Sequence, residues 1–156
     1  MVRIYGVTAS SGSGSGTGGT NTTANHKTTE LFGITSGVGS GVFLTSDNSG
    51  VPSFLNIANF SINTVSISTI NILAYQKQYP IVAASWTFEI LVTKGASPAL
   101  TKLVGISLAK SLSDDALSSA SLTVSSNTTY GGISIFCLGV NGYTLNWLAT
   151  IDTVEA

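Results

Sequence analysis

The sequence predicts an all-β protein, an antiparallel β-sandwich of the jelly-roll type with an extended N-terminal arm. Short runs of alternating apolar and polar residues recur roughly every 8–12 residues with turn residues between them, which is typical of sandwiches. No segment has the apolar stripe of a long amphipathic helix. The length of 156 residues fits one domain with an arm. We expect the arm over residues 1–29 and the sandwich over residues 30–156.

The arm is expected from its composition. Residues 8–29 are almost entirely Gly, Ser, Thr and Asn, and such a stretch buries too little apolar surface to order itself alone. Residues 1–7 alternate apolar and polar side chains, which makes Val2, Ile4 and Val7 candidate partner contacts. We therefore expect the arm to reach a neighbouring subunit, where its first residues add a strand or lie along the surface.

The strands of the first half follow from alternation and turn residues. Residues 31–45 contain two short apolar runs, and the polar cluster 46–50 predicts a turn after them. Apolar residues alternate from residue 60 to residue 74, but the alternation changes phase on the way. This change predicts a bulge or bend near Ser68 and Thr69.

The second half continues the same pattern. Residues 86–92 and 103–108 alternate cleanly and predict two strands. Residues 113–117 predict one helical turn, and residues 120–124 predict a further strand.

A hairpin is the strongest local prediction. Alternating runs at residues 133–137 and 143–151 flank Asn141 and Gly142. Asn-Gly supplies the two positive φ angles of a type I′ turn. The sequence therefore predicts that these two C-terminal strands pair directly.

Charged residues are scarce. Lys, Arg, Asp and Glu make up 8% of the chain, about a third of the usual fraction in soluble domains. A net charge of -1 provides no electrostatic footprint for nucleic acid or an anionic membrane. No window approaches the ~18 unbroken apolar residues of a membrane span. A surface of hydroxyls and backbone suits packing against other proteins, and we expect Lys94, Asp114 and Asp115 to mark faces open to water.

Catalytic motifs do not emerge from the sequence. His26 is the only histidine, and it lies in the predicted arm, a poor platform for a general base. Residues 14–19 match the glycine pattern of dinucleotide sites but lack the preceding strand and following helix that such sites need. We expect no catalytic residue and no cofactor.

Two carboxylate arrangements stay open. Asp114 and Asp115 are best explained by a helix start, where acids interact favourably with the dipole, and the alternative is a divalent ion held with help from loop carbonyls or another subunit. A glycosidase needs two carboxylates across a cleft. No feature singles out the partner that Glu89 would need among the candidates Asp114, Asp115, Asp152 and Glu155. We expect neither an enzyme nor a metal site.

The aromatic residues fall into two groups. Trp86 and Trp147 are in phase with apolar strand neighbours, which indicates core positions or subunit anchors. Tyr75, Tyr79 and Tyr130 lie in predicted connections and are candidates for surface recognition.

A series of strand and turn motifs runs through the C-terminal half. Residues 84–95 form a run that ends in Lys and Gly, and residues 103–105 read Leu-Val-Gly. Residues 130–135 begin with Tyr-Gly-Gly, and residues 139–155 contain Asn-Trp-Leu-Ala-Thr-Ile before an acidic end. Over residues 60–156 this pattern resembles a module found at the ends of tailed-bacteriophage fibre, needle-knob and other virion proteins.

The resemblance implies a trimeric, mostly antiparallel β-sandwich without catalytic residues on a virion surface. We therefore expect a non-enzymatic structural protein of a bacteriophage virion, made in the host cytoplasm and attached through its arm. It would serve as a capsid decoration (cement) protein or as a tail fibre or knob. Expected partners are further copies in a homotrimer, capsid or tail subunits and host surface glycan, but not nucleic acid or membrane. The alternative is a receptor- or glycan-binding adhesin module of the tail, and a polysaccharide hydrolase is the third possibility.

Overall fold

The computed structural model describes residues 25–156, and this part of the chain is built almost entirely from strands. The nine strands within it are β1 (Asn25–Thr35), β2 (Gly41–Phe43), β3 (Ala58–Asn59), β4 (Thr64–Gln76), β5 (Val82–Lys94), β6 (Thr101–Ser113), β7 (Ser121–Asn127), β8 (Gly132–Leu138) and β9 (Leu145–Glu155). Short 3-10 turns occur at Pro98–Leu100 and Asp115–Leu117. No helix in residues 25–156 is long and apolar enough to cross a membrane. The prediction of an all-β protein is confirmed.

The strands form two antiparallel sheets. The larger sheet has five strands in the order β1-β9-β4-β5-β6. In the smaller sheet β8 pairs with β7 on one edge and with β2 and β3 on the other. Their buried side chains belong to one hydrophobic cluster, to which β9 contributes Trp147 and Ile151 and β8 contributes Ile133 and Ile135.

Trp147 lies at the centre of this cluster. It is 2% exposed, and its Nε1 donates a hydrogen bond to Thr35 Oγ1 at 2.9 Å. Its ring stacks on that of Trp86, with centroids 5.7 Å apart. The bond to Thr35 satisfies the one polar group of the indole, so the largest core side chain carries no unpaired donor.

The predicted hairpin at Asn141 and Gly142 is wrong, because β8 and β9 belong to different sheets. Gly142 has a φ of 91° but Asn141 does not have positive φ, so the type I′ turn does not form. Gly142 instead donates its backbone N–H to the carbonyl of Gly37 at 2.7 Å. Both edges of β9 are taken by β1 and β4, and the chain after β8 therefore crosses to the other sheet.

β4 is regular where the sequence predicts a bulge. Its register with β5 and β9 runs through residues 68–69 without a shift. The apolar alternation changes phase because the apolar Val65 and Ile67 face outward on the sheet, while the polar Ser68 is buried. Ser68 Oγ shares a hydrogen bond of 2.7 Å with Thr153 Oγ1, so a pair of hydroxyls occupies core positions that the pattern reserves for apolar groups.

β1 starts earlier than the sequence indicates. Residues 25–29, which the composition assigns to the arm, pair with β9, from Asn25 opposite Glu155 onward. The sequence-based division at residue 30 therefore falls inside β1. The other arm residues, with Val2, Ile4 and Val7, lie outside the described residues.

An ion pair between the buried Glu155 and the partly exposed Lys27 holds the end of β9. Glu155 is 2% exposed, and its Oε1 lies 2.7 Å from Nζ of Lys27 on β1. Ser61 donates to the same carboxylate from its backbone N at 3.1 Å and from its Oγ at 2.6 Å. Lys27 also donates to the backbone carbonyl of Asn59. Because Asn59 belongs to the smaller sheet, the cluster links the two sheets.

Lys94 lies beside this pair and is buried, so its expected place on a face open to water is wrong. Its ammonium donates to the carbonyl of Phe60 at 2.6 Å. Burial, together with the positive charge of Lys27, lowers the pKa of Lys94. Burial alone would raise the pKa of Glu155, but the hydrogen bonds from Lys27 and Ser61 outweigh burial and hold that pKa below its ordinary value.

Two substitutions three positions apart test the regular register of β4. Ile70 is fully buried, whereas Ile67 is 56% exposed. We expect Ile70→Ala to lower the free energy of unfolding by about 2–5 kcal/mol, and Ile67→Ala to lower it by less than about 1 kcal/mol. Urea denaturation of both variants measures the difference, and equal losses would contradict the register.

Glu155→Gln tests the ion pair through its pH dependence. A carboxyl whose folded pKa is depressed stabilises fully above its unfolded pKa of about 4.3, and this contribution is lost as the pH falls through the folded pKa. We expect the variant to be less stable than the wild type by about 1–3 kcal/mol at neutral pH, with a difference that shrinks in acid. Urea unfolding of the variant and the wild type at neutral and at acidic pH measures this difference in the free energy of unfolding. Glu89→Gln, at an exposed carboxylate, is the control, and a pH-independent difference for Glu155→Gln would refute the ion-pair account.

Candidate interaction surface

β6 is an edge strand with exposed apolar side chains. Ile106 and Leu108 are 48% and 53% exposed, and Val104 and Leu112 are similarly open. Within residues 25–156 no strand pairs with the outer edge of β6. A free edge presents unpaired backbone donors and acceptors, which makes it a template for pairing with another chain.

Ile106 and Leu108 point to the side of the larger sheet that carries the core. They lie opposite Ile90 and Phe88 on β5, and directly opposed residues share a face. Ile90 is buried, but Phe88 and Trp86 are only half-buried, which shows that cover by the smaller sheet decreases before β6. We call Trp86, Phe88, Ile106 and Leu108 the overhang.

The lysines of β6 lie on the opposite face. Lys102 pairs with Thr93 and Lys110 with Thr87, and both threonines alternate with the core residues of β5. Lys102 and Lys110 therefore project from the face that points away from the smaller sheet, which we call the outer face. The overhang itself carries no charged side chain.

Side chains on the outer face form rows across the sheet, because directly opposed residues on five strands align. Two rows are largely apolar: Phe32, Leu148, Leu73, Ser85 and Leu112 in one, and His26, Val154, Ile67, Leu91 and Gly105 in the other. Between them lies a polar belt of two rows: Glu30, Thr150, Asn71, Thr87 and Lys110, then Thr28, Asp152, Thr69, Glu89 and Ser107. This alternation gives the outer face a banded chemistry.

Two shallow depressions lie on the outer face. One of about 220 Å³ is lined by residues that include Asn71, Ser85 and Thr87. The other, of about 270 Å³, is lined by residues that include Tyr75 and Asn146. Amide, hydroxyl and aromatic groups beside an apolar row are chemically suited to a small polar ligand.

The three tyrosines proposed for surface recognition do not form one site. Tyr75 is on β4, not in a connection, and is half-buried against the second depression. Tyr79 is 95% exposed in the β4–β5 loop at the same end of the sheet. Tyr130 is in the β7–β8 turn beside Gly131. The carbonyl of Gly131 accepts a hydrogen bond from the backbone N–H of Phe60, and the Phe60 carbonyl in turn accepts one from Lys94. Because Tyr75 aligns with the start of β5 and Lys94 ends it, Tyr130 lies at the opposite end.

The register selects Asp152 as the carboxylate that shares a face with Glu89. The two lie in one row on either side of Thr69, about 9–10 Å apart between Cα atoms. Asp152 accepts a hydrogen bond of 2.7 Å from Thr28 Oγ1. Glu89 is exposed, and neither depression includes Glu89 or Asp152. Glu155 is excluded, because it is buried in the ion pair.

Asp114 and Asp115 occupy the turn after β6. Asp114 Oδ2 accepts the backbone N–H of Ala83 at 2.8 Å, and Asp115 begins the 3-10 turn. His26 lies on β1, exposed and opposite Val154. Over residues 25–156 no three His, Cys, Asp or Glu side chains are grouped to hold a metal ion.

The loop 46–57 presents a second set of exposed apolar groups, including Leu55. Asn56 stiffens this loop from within: its Nδ2 donates to the Asp47 carboxylate at 3.2 Å and to the Val51 carbonyl at 2.9 Å. Hydrogen bonds from Ser49 and Asn56 lower the pKa of Asp47. The Asp47 carboxylate therefore accepts hydrogen bonds from two residues of its own loop.

Sequence reasoning does not find the overhang. Residues 103–108 alternate like any half-buried strand, and the alternation does not reveal whether a second sheet covers the apolar side. The one available signal is the seven-residue stretch from Leu103 to Ala109, which has no charge and no proline.

No protein-family model matches the sequence, and no curated protein matches it. Among solved structures, the chain is similar to the tailspike protein of Acinetobacter phage vB_ApiP_P1, with 16% identity and a TM-score of 0.36 over 82% of this chain. It is also similar to the tailspike protein of Acinetobacter baumannii phage AM24, with 13% identity and a TM-score of 0.34 over 80% of this chain. The matched parts make up 21% and 26% of these two tailspikes. Similarity at this level assigns neither their activity nor their assembly to this chain.

Proposed function

We propose that this chain is a non-enzymatic structural protein of a bacteriophage virion. It forms a jelly-roll β-sandwich that assembles as a trimer at the particle surface and is attached through its N-terminal arm. Its place is that of a capsid decoration (cement) protein or of a tail fibre or knob.

The observation that carries this proposal is the uncharged apolar surface that the β-body leaves uncovered. Monomeric proteins rarely expose contiguous apolar patches without a partner. In this chain the edge strand β6 exposes four large apolar side chains, and two of the few charges, Lys94 and Glu155, are buried. A surface of this kind is suited to permanent contact with other subunits.

The virion context is supported by the sequence resemblance. Residues 84–95 and 139–155, which carry that resemblance, supply most of β5 and all of β9. The phage-like motifs therefore coincide with two strands of the larger sheet, of which β9 is paired on both edges.

The proposed attachment through the arm is geometrically feasible. Val2, Ile4 and Val7 alternate in the manner of a short strand, and 17 residues separate Val7 from Asn25, where β1 begins. Such a length spans at most about 55–60 Å when extended. The first residues can therefore reach a neighbouring subunit and add a strand to it.

A structural role also agrees with the arrangement of the carboxylates. Glu89 and Asp152 share an open sheet face, whereas a glycosidase holds its two carboxylates on either side of a bound sugar. Among residues 25–156, no group of three His, Cys, Asp or Glu side chains that could hold a metal ion includes that pair. We therefore assign no catalytic role to Glu89 or Asp152.

Full-length Val2→Asp/Ile4→Asp protein, supplied to particles that lack the wild-type protein, tests attachment through the arm. Charges on the alternating apolar positions would remove the contact, and we expect at least a tenfold loss of incorporation, measured by quantitative mass spectrometry of purified particles. Ser13→Asp/Thr17→Asp places the same charges in the linker and is the matched control. Normal incorporation of the Val2/Ile4 variant would refute attachment through these residues.

The same particles separate the two virion positions. A decoration protein is present in many copies, and particles without it have heat-labile heads. A tail fibre or knob is present in few copies, and particles without it are intact but adsorb poorly to the host.

A second candidate function is a glycan-binding adhesin module of the tail. It is favoured by the depression of about 270 Å³ in which Tyr75 lies beside Asn48 and Asn146. An aromatic face beside amide groups is suited to a sugar ring.

Isothermal titration with purified host polysaccharide tests this candidate. If the chain is a glycan-binding module, we expect Tyr75→Ala to weaken binding about tenfold through loss of the ring contact. Tyr130→Ala, at the opposite end of the larger sheet, should have no effect on binding. Absence of binding by the wild-type protein removes this candidate. If the wild-type protein shortens the polysaccharide and the Glu89→Gln variant does not, the chain is instead a hydrolase.

A further inference from the structure

We propose that the overhang, formed by Trp86, Phe88, Ile106 and Leu108, is the surface through which copies of this chain contact one another. This inference rests on the oligomer of the proposed function and assigns its interface to a specific part of the body. The occupants of each overhang are the overhangs of the two other copies in the trimer, which meet around a threefold axis.

The first argument is incomplete cover within the subunit. Ile106 and Leu108 lie on the core side of the larger sheet, opposite Ile90 and Phe88, yet they are 48% and 53% exposed. The core side of a sheet is normally sealed by the opposite layer. Within residues 25–156 the smaller sheet leaves this strip open, which makes it available to another copy of the chain.

The second argument is the free edge of β6. Its 13 residues have no strand partner on the outer side within residues 25–156, and residues 103–109 contain neither charge nor proline. Uncharged strand segments of this length aggregate when they are left exposed. Lys102 and Lys110 flank the segment. Lysines on an edge strand are one way in which proteins limit uncontrolled pairing of an exposed sheet edge.

The third argument identifies the occupant as another copy of the chain. Symmetric association brings identical residues close together, so a charged patch would repel itself. The overhang has no charge, because Lys102 and Lys110 project from the outer face of the sheet. Like residues can therefore meet around a symmetry axis while both lysines remain in water.

The size of the surface agrees with such a contact. β6 has 13 residues, which is ~43 Å at ~3.3 Å per residue. With a depth of about 15 Å, from the ~10 Å spacing of packed sheets and one ~5 Å strand spacing, the whole length of β6 offers roughly 650 Å² per subunit, and the uncharged residues 103–109 form its centre. Stable interfaces use about 600–1,000 Å² per partner, so the overhang and the β6 edge suffice for a modest interface.

The mass of full-length Ile106→Lys/Leu108→Lys protein in solution tests the proposal. Both positions are half-exposed, so the subunit can accept lysine there, but a second copy cannot pack against the charges. Light scattering is expected to give three times the 16.0 kDa chain mass for the wild type and the single-chain mass for the variant at the same concentration. This corresponds to a dissociation constant raised about 100-fold or more.

The matched control is Leu55→Lys/Ile62→Lys, which adds the same charge at positions that are 88% and 59% exposed outside the overhang. This control should keep the wild-type mass. An Ile106/Leu108 variant that is folded and keeps the wild-type mass overturns the inference and leaves the proposed virion role intact. A wild-type monomer overturns the trimer of the proposed function itself. If Val2→Asp/Ile4→Asp alone gives monomers, the arm is the occupant and the proposal is wrong.

Hydrogen exchange on the wild-type protein provides an answer even if the Ile106/Leu108 variant fails to fold. Amides of residues 103–109 should exchange slowly in the oligomer and at least tenfold faster after dilution to the monomer, whereas amides of the buried strand β9 should not change. Equal exchange of residues 103–109 in both states would refute an interface at this edge.

Discussion

The fold depends on the pairing of β9 on both of its edges. This strand pairs with β1 on one edge and β4 on the other, while every second side chain from Leu145 to Glu155 is buried. A slip of one residue would move the entire buried set, Trp147 and Ile151 included, to the outer face. The two neighbouring strands and the core side chains therefore specify the same register, and the position of β8 across the core follows from it.

The use of charge follows from the same arrangement. Glu155 is buried because β9 ends at the margin of the core. Hydrogen bonds from Lys27 and Ser61 offset the desolvation of its carboxylate. Lys94 is buried beside it. A chain with few charged residues thus uses some of them inside, which leaves its surface poorer in charge than its composition indicates. The burial of these charges increases the difference in surface charge between this protein and a typical soluble domain.

Unequal sheets determine the surface chemistry. The larger sheet extends to β6, but its core side is incompletely covered at Trp86 and Phe88 of β5, and Ile106 and Leu108 on β6 are half-exposed. On the outer face, alternating apolar and polar rows surround depressions that suit smaller polar ligands. The two faces of one sheet therefore differ in chemistry: one has an uncharged apolar strip, and the other is a banded face with hydrogen-bonding groups.

The sequence by itself determined the all-β class, the strands at residues 86–92 and 103–108 and the core position of Trp147, because alternation and side-chain burial act locally along a strand. It misplaced the contacts that depend on distant segments. Asn141 and Gly142 predict a hairpin from local turn preference, but β9 has no free edge for β8. The phase change in β4 predicts a bulge, but Ser68 is accepted in the core because Thr153, 85 residues away, bonds its hydroxyl. Only the tertiary structure decided which apolar face of each strand was covered, since cover depends on the extent of the opposite sheet. Ile90 and Ile106 look alike in the sequence, and the structure buries the first and leaves the second half-exposed.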